Sequence, residues 1–201
     1  MERAQMTSSA VAVDSLDRAI GEQVRVLRSA RGMTLEVLAD KSGVSRAMLS
    51  RIERGESNPT AQLLGRVCAG LDVTLAALFA ETERAASPLS RRADQVEWRD
   101  PASGYVRRVM TPPNCGAAVD IVDVAFPPGA TVTMESSRKP ALDQQIVLLA
   151  GRMDITVGDA THRLEAGDCL YMHLGQPVSF HNPGSRAAHY LVVIAPRVQR
   201  L

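Results

Sequence analysis

Residues 34–60 read TLEVLADKSGVSRAMLSRIERGESNPT, and the spacing of apolar residues in this stretch decides how the first third of the chain folds. Leu35, Leu38 and Ala39 recur at i, i+3 and i+4, the period of one helix face, and Thr34 ahead of them is placed to cap the helix through its side-chain oxygen. Gly43 permits the sharp turn that follows. Ser45 then caps a second helix that turns Met48, Leu49 and Ile52 inward and leaves Arg46, Ala47, Ser50 and Arg51 on the opposite side. A helix fits the major groove of B-form DNA, and an arginine near its start can offer two donors to guanine O6 and N7. Helix pairs joined through a glycine also occur without nucleic acid, and exposed arginines often mark only a solvated face. The core spacing, the two caps, the glycine and the ERGESNP ending coincide here in one segment, which favours DNA.

At 201 residues the chain is long enough for two small domains, and its net charge of +1 says little about partners. The basic residues that matter are local: Arg25, Arg28, Arg31, Lys41, Arg46, Arg51 and Arg54 all precede residue 60, partly balanced by Glu22, Glu36, Asp40, Glu53 and Glu56. So modest an excess predicts modest affinity per unit, and hence a dimer or higher oligomer at the operator, with a homodimer the expected form. Cys68, Cys115 and Cys169 are widely spaced and form no CxxC, so neither a disulfide framework nor a zinc site is expected. Cys68 sits in a helical apolar pattern and Cys169 in a strand-like one, and both read as small core residues. No segment is apolar enough to span a bilayer, which predicts a cytoplasmic protein with no membrane partner. Residues 1–17, rich in Ser, Thr and Ala at their start, read as a disordered arm.

After the quoted stretch, Ala61 to Leu71 and Thr74 to Phe79 are expected as fourth and fifth helices, so residues 18–80 form a five-helix domain. The polar run ETERAASPLSRRADQ at 81–95 is the natural linker. From residue 96 to 201 the period shortens to that of β-strands. Runs are expected at Tyr105 to Met110, Val119 to Phe126, Gln145 to Leu149, Met153 to Val157, Thr161 to Leu164, Cys169 to Met172, Val178 to His181 and Tyr190 to Ile194, separated by turns such as PPG, EAGD and NPG. Many short strands at this spacing argue a sandwich or barrel, and the whole an α plus all-β two-domain chain.

The segment from Ile20 to Phe79 resembles the phage-repressor-like helix-turn-helix family, also called the XRE or Cro/C1 type. Its most specific element is IERGESNPT, in which Ile52 to Gly55 close the recognition helix and Asn58-Pro59-Thr60 open the next, with proline in its first turn. The resemblance implies a lambda-repressor-like domain in which Arg46, Ala47, Ser50 and Arg51 face bases and Thr34, Ser45, Arg54 and Asn58 lie near phosphates. It also implies that Arg28 pairs with Glu53 inside the domain. Leu35 departs from the pattern, standing where members often carry a polar phosphate contact.

From Ala118 to Ala195 the chain resembles the cupin family of double-stranded β-helix, or jelly-roll, barrels. The second motif shows as Gly167, five residues, His173-Leu174-Gly175 where Pro-x-Gly is usual, and Asn182; the first survives as PPGATVTMESSRKPALDQQIVLLAG, ending at Gly151. In this layout the barrel implied is an effector sensor and dimerisation unit. Metal-binding cupins use histidines and a glutamate. Here Gln144 stands at the glutamate position, Val178 at the second-motif histidine, and the first-motif pair falls around Ser137 to Pro140 without a histidine. No metal, no other cofactor and no metal-dependent enzyme chemistry are therefore expected. A small-molecule pocket is still expected, with Gln144 facing inward beside Ile146 and Leu148, and Val178 and Phe180 across from it. Arg138 and Lys139, in the loop before that strand, are either an anion anchor at the mouth or solvated charges. Glu135 and His189 are further candidates, and Trp98 is expected to cover the bottom of the barrel. These features together predict a sequence-specific DNA-binding transcriptional regulator, a repressor by default, whose operator binding responds to an effector. The alternatives are a constitutive DNA binder whose barrel only dimerises and a cupin enzyme with an accessory DNA-binding domain.

Overall fold

The computed structural model describes residues 2–79, 87–135, 142–173 and 175–196. Four helices of two turns or more come first: α1 (Glu2–Ala30), α2 (Leu35–Ser42), α3 (Arg46–Glu53) and α4 (Ala61–Leu71). A single turn, α5 (Leu75–Leu78), stands where a fifth full helix is expected. One turn suffices to dock Leu75, Leu78 and Phe79 on the core. α1 also runs through the residues assigned to a disordered arm. Glu2–Asp14 holds neither Gly nor Pro and includes Ala4, Gln5, Met6, Ala10 and Ala12. It extends a helix already anchored by Ile20 and Val24, so it needs no nucleus of its own.

The helical core follows the expected period: Ile20, Val24, Leu38, Leu49, Ile52 and Leu64 are each 2 % exposed or less. Gly21 lets α1 close on α3, because a Cβ there would stand 2.2 Å from the carbonyl oxygen of Ile52. At the start of α4 the expectation is corrected by two residues. Thr60 is the N-cap, accepting from the Leu63 N–H at 3.3 Å, so Pro59 precedes the cap and does not enter the first turn.

The strands are β1 (Glu97–Arg99), β2 (Val106–Val109), β3 (Asp120–Phe126), β4 (Thr131–Met134), β5 (Leu142–Ala150), β6 (Arg152–Val157), β7 (Ala160–Glu165), β8 (Cys169–His173), β9 (Val178–His181) and β10 (Ala188–Pro196). Every expected strand has a counterpart, and β1 and β4 are additional. Among the described residues they form two antiparallel sheets, ordered β1-β2-β3-β10-β5-β8 and β4-β9-β6-β7. Among the described residues the ladder runs as two sheets, the form of a double-sheet jelly roll. Its outer strands stay short and polar, as in β7, where five of six residues are exposed. Phe126, Ile146 and Leu148 from one sheet meet Val132, Ile155 and Phe180 from the other, and all are buried. Asn182, fully buried, secures one end by donating to the carbonyls of Phe126 and Arg186 at 3.1 and 2.9 Å while accepting from Gly184 N–H at 2.9 Å.

Two residues lie elsewhere than the sequence suggests. Cys169 is exposed, because alternation along β8 turns Leu170 and Met172 inward and Cys169 outward. Trp98 does not close the bottom of the sandwich but sits at the seam with the helices, 5.8 Å from Phe79 on one side and 5.8 Å from Tyr105 on the other. Every aromatic residue except Tyr171 belongs to the chain of contacts that starts there, continuing through Phe126 and Tyr190 to Phe180. Each such pair is worth about 0.5–1.5 kcal/mol beyond its buried area. The two halves therefore share one core.

Candidate nucleic-acid interface and interior cavity

The turn between α2 and α3 is built as its sequence dictates. Thr34 Oγ1 accepts from Val37 N–H at 3.2 Å, Ser45 Oγ from Met48 N–H at 3.3 Å, and Gly43 adopts φ 66°. With Leu49 and Ile52 buried, α3 turns Arg46, Ala47 and Arg51 to solvent. Ser50 is half-buried beneath Arg54, whose Nη1 donates to its Oγ. Arg54 also forks onto Glu56, with Nε to Oε1 at 2.8 Å and Nη2 to Oε2 at 2.7 Å. That pairing raises the arginine and holds the Glu56 carboxyl below its ordinary range. Arg46 Nε lies 2.5 Å from Glu36 Oε1, and Arg51 Nη2 donates to the Glu56 carbonyl at 3.4 Å. Exposed pairs of this kind are weak and screened by salt, so the cations are free to exchange a carboxylate for a phosphate or a base edge. Thr34, Ser45 and Asn58 are exposed beside them.

The implied pair inside the domain is present. Arg28 Nε and Nη2 reach Glu53 Oε1 and Oε2 at 2.6 and 2.8 Å, and Nη1 donates to Met33 O at 2.8 Å. It ties the end of α1 to the end of α3. Both side chains are largely buried, so removing one partner leaves the other charge uncompensated, at a cost of about 3–5 kcal/mol.

Between the sheets lies a cavity of about 180 Å³. Gln144, Val178 and Phe180, the expected lining residues, all face it. Arg138 and Lys139 lie outside the described residues. Glu135 lines the cavity from the end of β4 and is exposed. His189 does not line it: it is on the outer face of the six-stranded sheet, hydrogen-bonded to Asp123, which also holds Arg108. The cavity also extends to the helical half, where Gly65, Cys68, Ala69, Val73, Thr74 and Leu75 of α4, α5 and their connection form one wall. Helix periodicity marks these positions only as core and gives no sign of this wall.

Two further residues were not foreseen. Asp100, 2 % exposed, accepts the N–H of Ala61 at 2.8 Å and so caps α4 from the β-rich half. Arg107, inside a strand that reads VRRV, turns inward and lines the cavity with 8 % exposure. Alternation in β2 could have flagged it, because Arg107 and Arg108 must point to opposite faces and one of them therefore inward. Burial pushes the Cys68 thiol from 9.0 to about 12 and the Tyr105 phenol from 10.0 to about 12, with Arg107 opposing both. The donor set does not suit a cupin metal: Gln144 is a neutral amide, Val178 has no donor, and no group of three or more His, Cys, Asp or Glu among the described residues could hold an ion.

A helix-turn-helix family model matches residues 24–78 and a cupin-domain model residues 122–194. The chain is 24% identical over 178 residues to the HTH-type transcriptional regulator SutR of Escherichia coli K12, covering 89% of this chain and 95% of SutR. Over 63 residues, 31% of this chain and 57% of the relative, it is 41% identical to the HTH-type transcriptional regulator SinR of Bacillus subtilis 168. The crystal structure of an HTH_3 family transcriptional regulator from Vibrio cholerae has the same fold. Its TM-score is 0.76 at 24% identity, over 92% of this chain and 99% of that one. No helix among the described residues is long and apolar enough to cross a membrane.

Proposed function

We propose that this chain is a transcriptional regulator joining an XRE-type helix-turn-helix DNA-binding domain to a cupin domain, and that it is a non-enzymatic repressor whose hold on a specific operator is set by a small molecule in the interior cavity. The domains divide at residues 81–95, with α3 reading bases through Arg46, Ala47, Ser50 and Arg51. Thr34, Ser45, Arg54 and Asn58 hold the phosphates, and repression follows from occupying the operator. The observation that carries the regulatory half is the shared wall of the cavity, to which α4, α5 and both sheets contribute. A ligand that fits one placement of the helices on the sandwich better than another shifts the population by that difference in affinity.

The operator is bound by a homodimer. Ile121, Val147, Leu149, Tyr171, Leu191 and Val193 share the outer face of the six-stranded sheet, and Leu149 and Tyr171 are 46% and 52% exposed. This face is the dimerisation surface. The test is to select operator DNA with the full chain and titrate it in the presence of amino acids, polyamines and small carboxylates. A ligand that raises the melting temperature and shifts operator affinity supports the reading, because it binds the folded state. Operator affinity indifferent to every ligand that binds would leave a constitutive binder.

A further inference from the structure

We propose that the cavity takes a short-chain carboxylate, held through its charged group by Arg107 and through its alkyl chain by the aliphatic walls. This deepens the sensor reading and rests on it. The Arg107 guanidinium carbon lies 5.2 Å from the centroid of Phe79, a cation–π contact across the seam between helices and sheets. That contact is made to the face of a ring, which offers the guanidinium no oxygen acceptor and no countercharge. No hydrogen bond or ion pair involves this side chain among the described residues, although it is more than nine-tenths buried. Asp120 is near enough to feel the charge, yet no ion pair joins the two among the described residues. A buried cation without a carboxylate is costly, and arginine matches a carboxylate with two parallel hydrogen bonds. Tyr105 and Tyr190, both buried and in electrostatic reach of Arg107, line the same cavity and offer phenol groups.

The size and the walls narrow the ligand. A volume of about 180 Å³ falls below the roughly 300–1,000 Å³ of pockets for drug-sized ligands, which favours a small ligand over nucleotides and large aromatic acids. Val122, Val124, Val132, Val192 and Ile194 are aliphatic and suit an alkyl chain. Among the described lining residues the one carboxylate, Glu135, is exposed just past the end of β4, whereas Arg107 is buried, so the buried charge of the lining is positive. A ligand anchored at Arg107 touches the residue that meets Phe79, which directly follows α5, and thereby biases how the helices sit on the sandwich.

The experiment uses the full chain and three matched probes: hexanoate, hexan-1-ol and hexylamine. Calorimetric titration should show hexanoate binding on the order of tenfold or more tighter than the alcohol, with no binding of the amine. Arg107→Met should abolish that preference and Arg107→Lys should keep part of it. Without ligand, R107M should melt at a higher temperature than the parent, because it removes an unpaired buried charge. A structural arginine would give the opposite shift. Hexanol or hexylamine binding as tightly as hexanoate, or hexanoate binding unchanged in R107M, overturns the proposal, as does no binding of hexanoate at all. Arg107-dependent hexanoate binding that leaves operator affinity unaltered would keep the anion site and remove the sensor reading.

Discussion

The backbone N–H of Ala61 donates to Oδ1 of Asp100 at 2.8 Å, so α4, the helix after α3, is capped by a carboxylate from the other half of the chain. The second oxygen of Asp100 is held by the N–H and hydroxyl of Ser103. An anion at a helix N-terminus satisfies a free donor and meets the positive end of the dipole. Since the cap sits beside Thr60, it couples the tilt of α4 to the sandwich directly.

Asp100→Ala should cost about 2 kcal/mol, because it strands the buried Ala61 N–H and removes the anion at once. Chemical denaturation should show a lower midpoint, and calorimetry a split of one transition into two as the halves uncouple. A single transition at the parental midpoint would mean the halves unfold as a unit without this bond.

Arg46 and Arg54 should fail differently on DNA. Arg46→Ala should lose about 1 to 3 kcal/mol on the selected operator and far less on random duplex, as expected of a base contact. Arg54→Ala should lose affinity uniformly and flatten the salt dependence, as a phosphate contact does. Fluorescence anisotropy across a salt series separates the two, and equal losses by Arg46→Ala on both DNAs would reassign it to the backbone.

How much of this was legible depends on the range of the interactions. The turn around Gly43, the caps at Thr34 and Ser45 and the inward set Leu38, Leu49 and Ile52 are local, fixed by residues within one helical turn, and the sequence reading has them all. Gln144, Val178 and Phe180 line one cavity, and the cupin resemblance together with strand alternation points to all three. What escaped are pairings across long sequence separation. Asp100 meeting Ala61, Trp98 meeting Phe79 and Arg107 meeting the helical wall depend on how two separately patterned halves dock, which no period records. Cys169 faces outward against expectation for a different reason: an apolar run shows a strand but not which parity faces in.

Stability should fall as the solution turns alkaline. Cys68 and Tyr105 rise on folding from 9.0 and 10.0 to about 12, and Tyr190 is pushed up as well, all by burial. Above pH 9 the unfolded chain loses these protons while the folded chain keeps them, so each group removes about 1.4 kcal/mol per pH unit once past its unfolded value. Their contribution is complete below pH 9 and is lost progressively toward pH 12. Urea midpoints measured from pH 8 to 11 should decline, and Cys68→Ala should flatten the first part of the slope. At pH 8 a thiol reagent should modify Cys115 and Cys169 quickly and Cys68 only at the rate of unfolding.

The outer face of the six-stranded sheet gives the last prediction. Leu149 on β5 and Tyr171 on β8 are exposed next to half-buried Val147, Leu191 and Val193, so charge placed at the first two disturbs the surface without entering the core. Leu149→Glu with Tyr171→Glu should leave the melting temperature of the isolated chain nearly unchanged and convert a dimer into a monomer in sedimentation, since like charges across a two-fold contact repel one another twice. Operator binding should weaken and lose its preference for inverted half-sites about one helical turn apart, because a single α3 with so balanced a surface has few net charges to spend on phosphates. If the double variant still sediments as a dimer, the contact lies elsewhere. If the parent itself is monomeric and binds inverted repeats no better than single half-sites, the dimer model fails altogether.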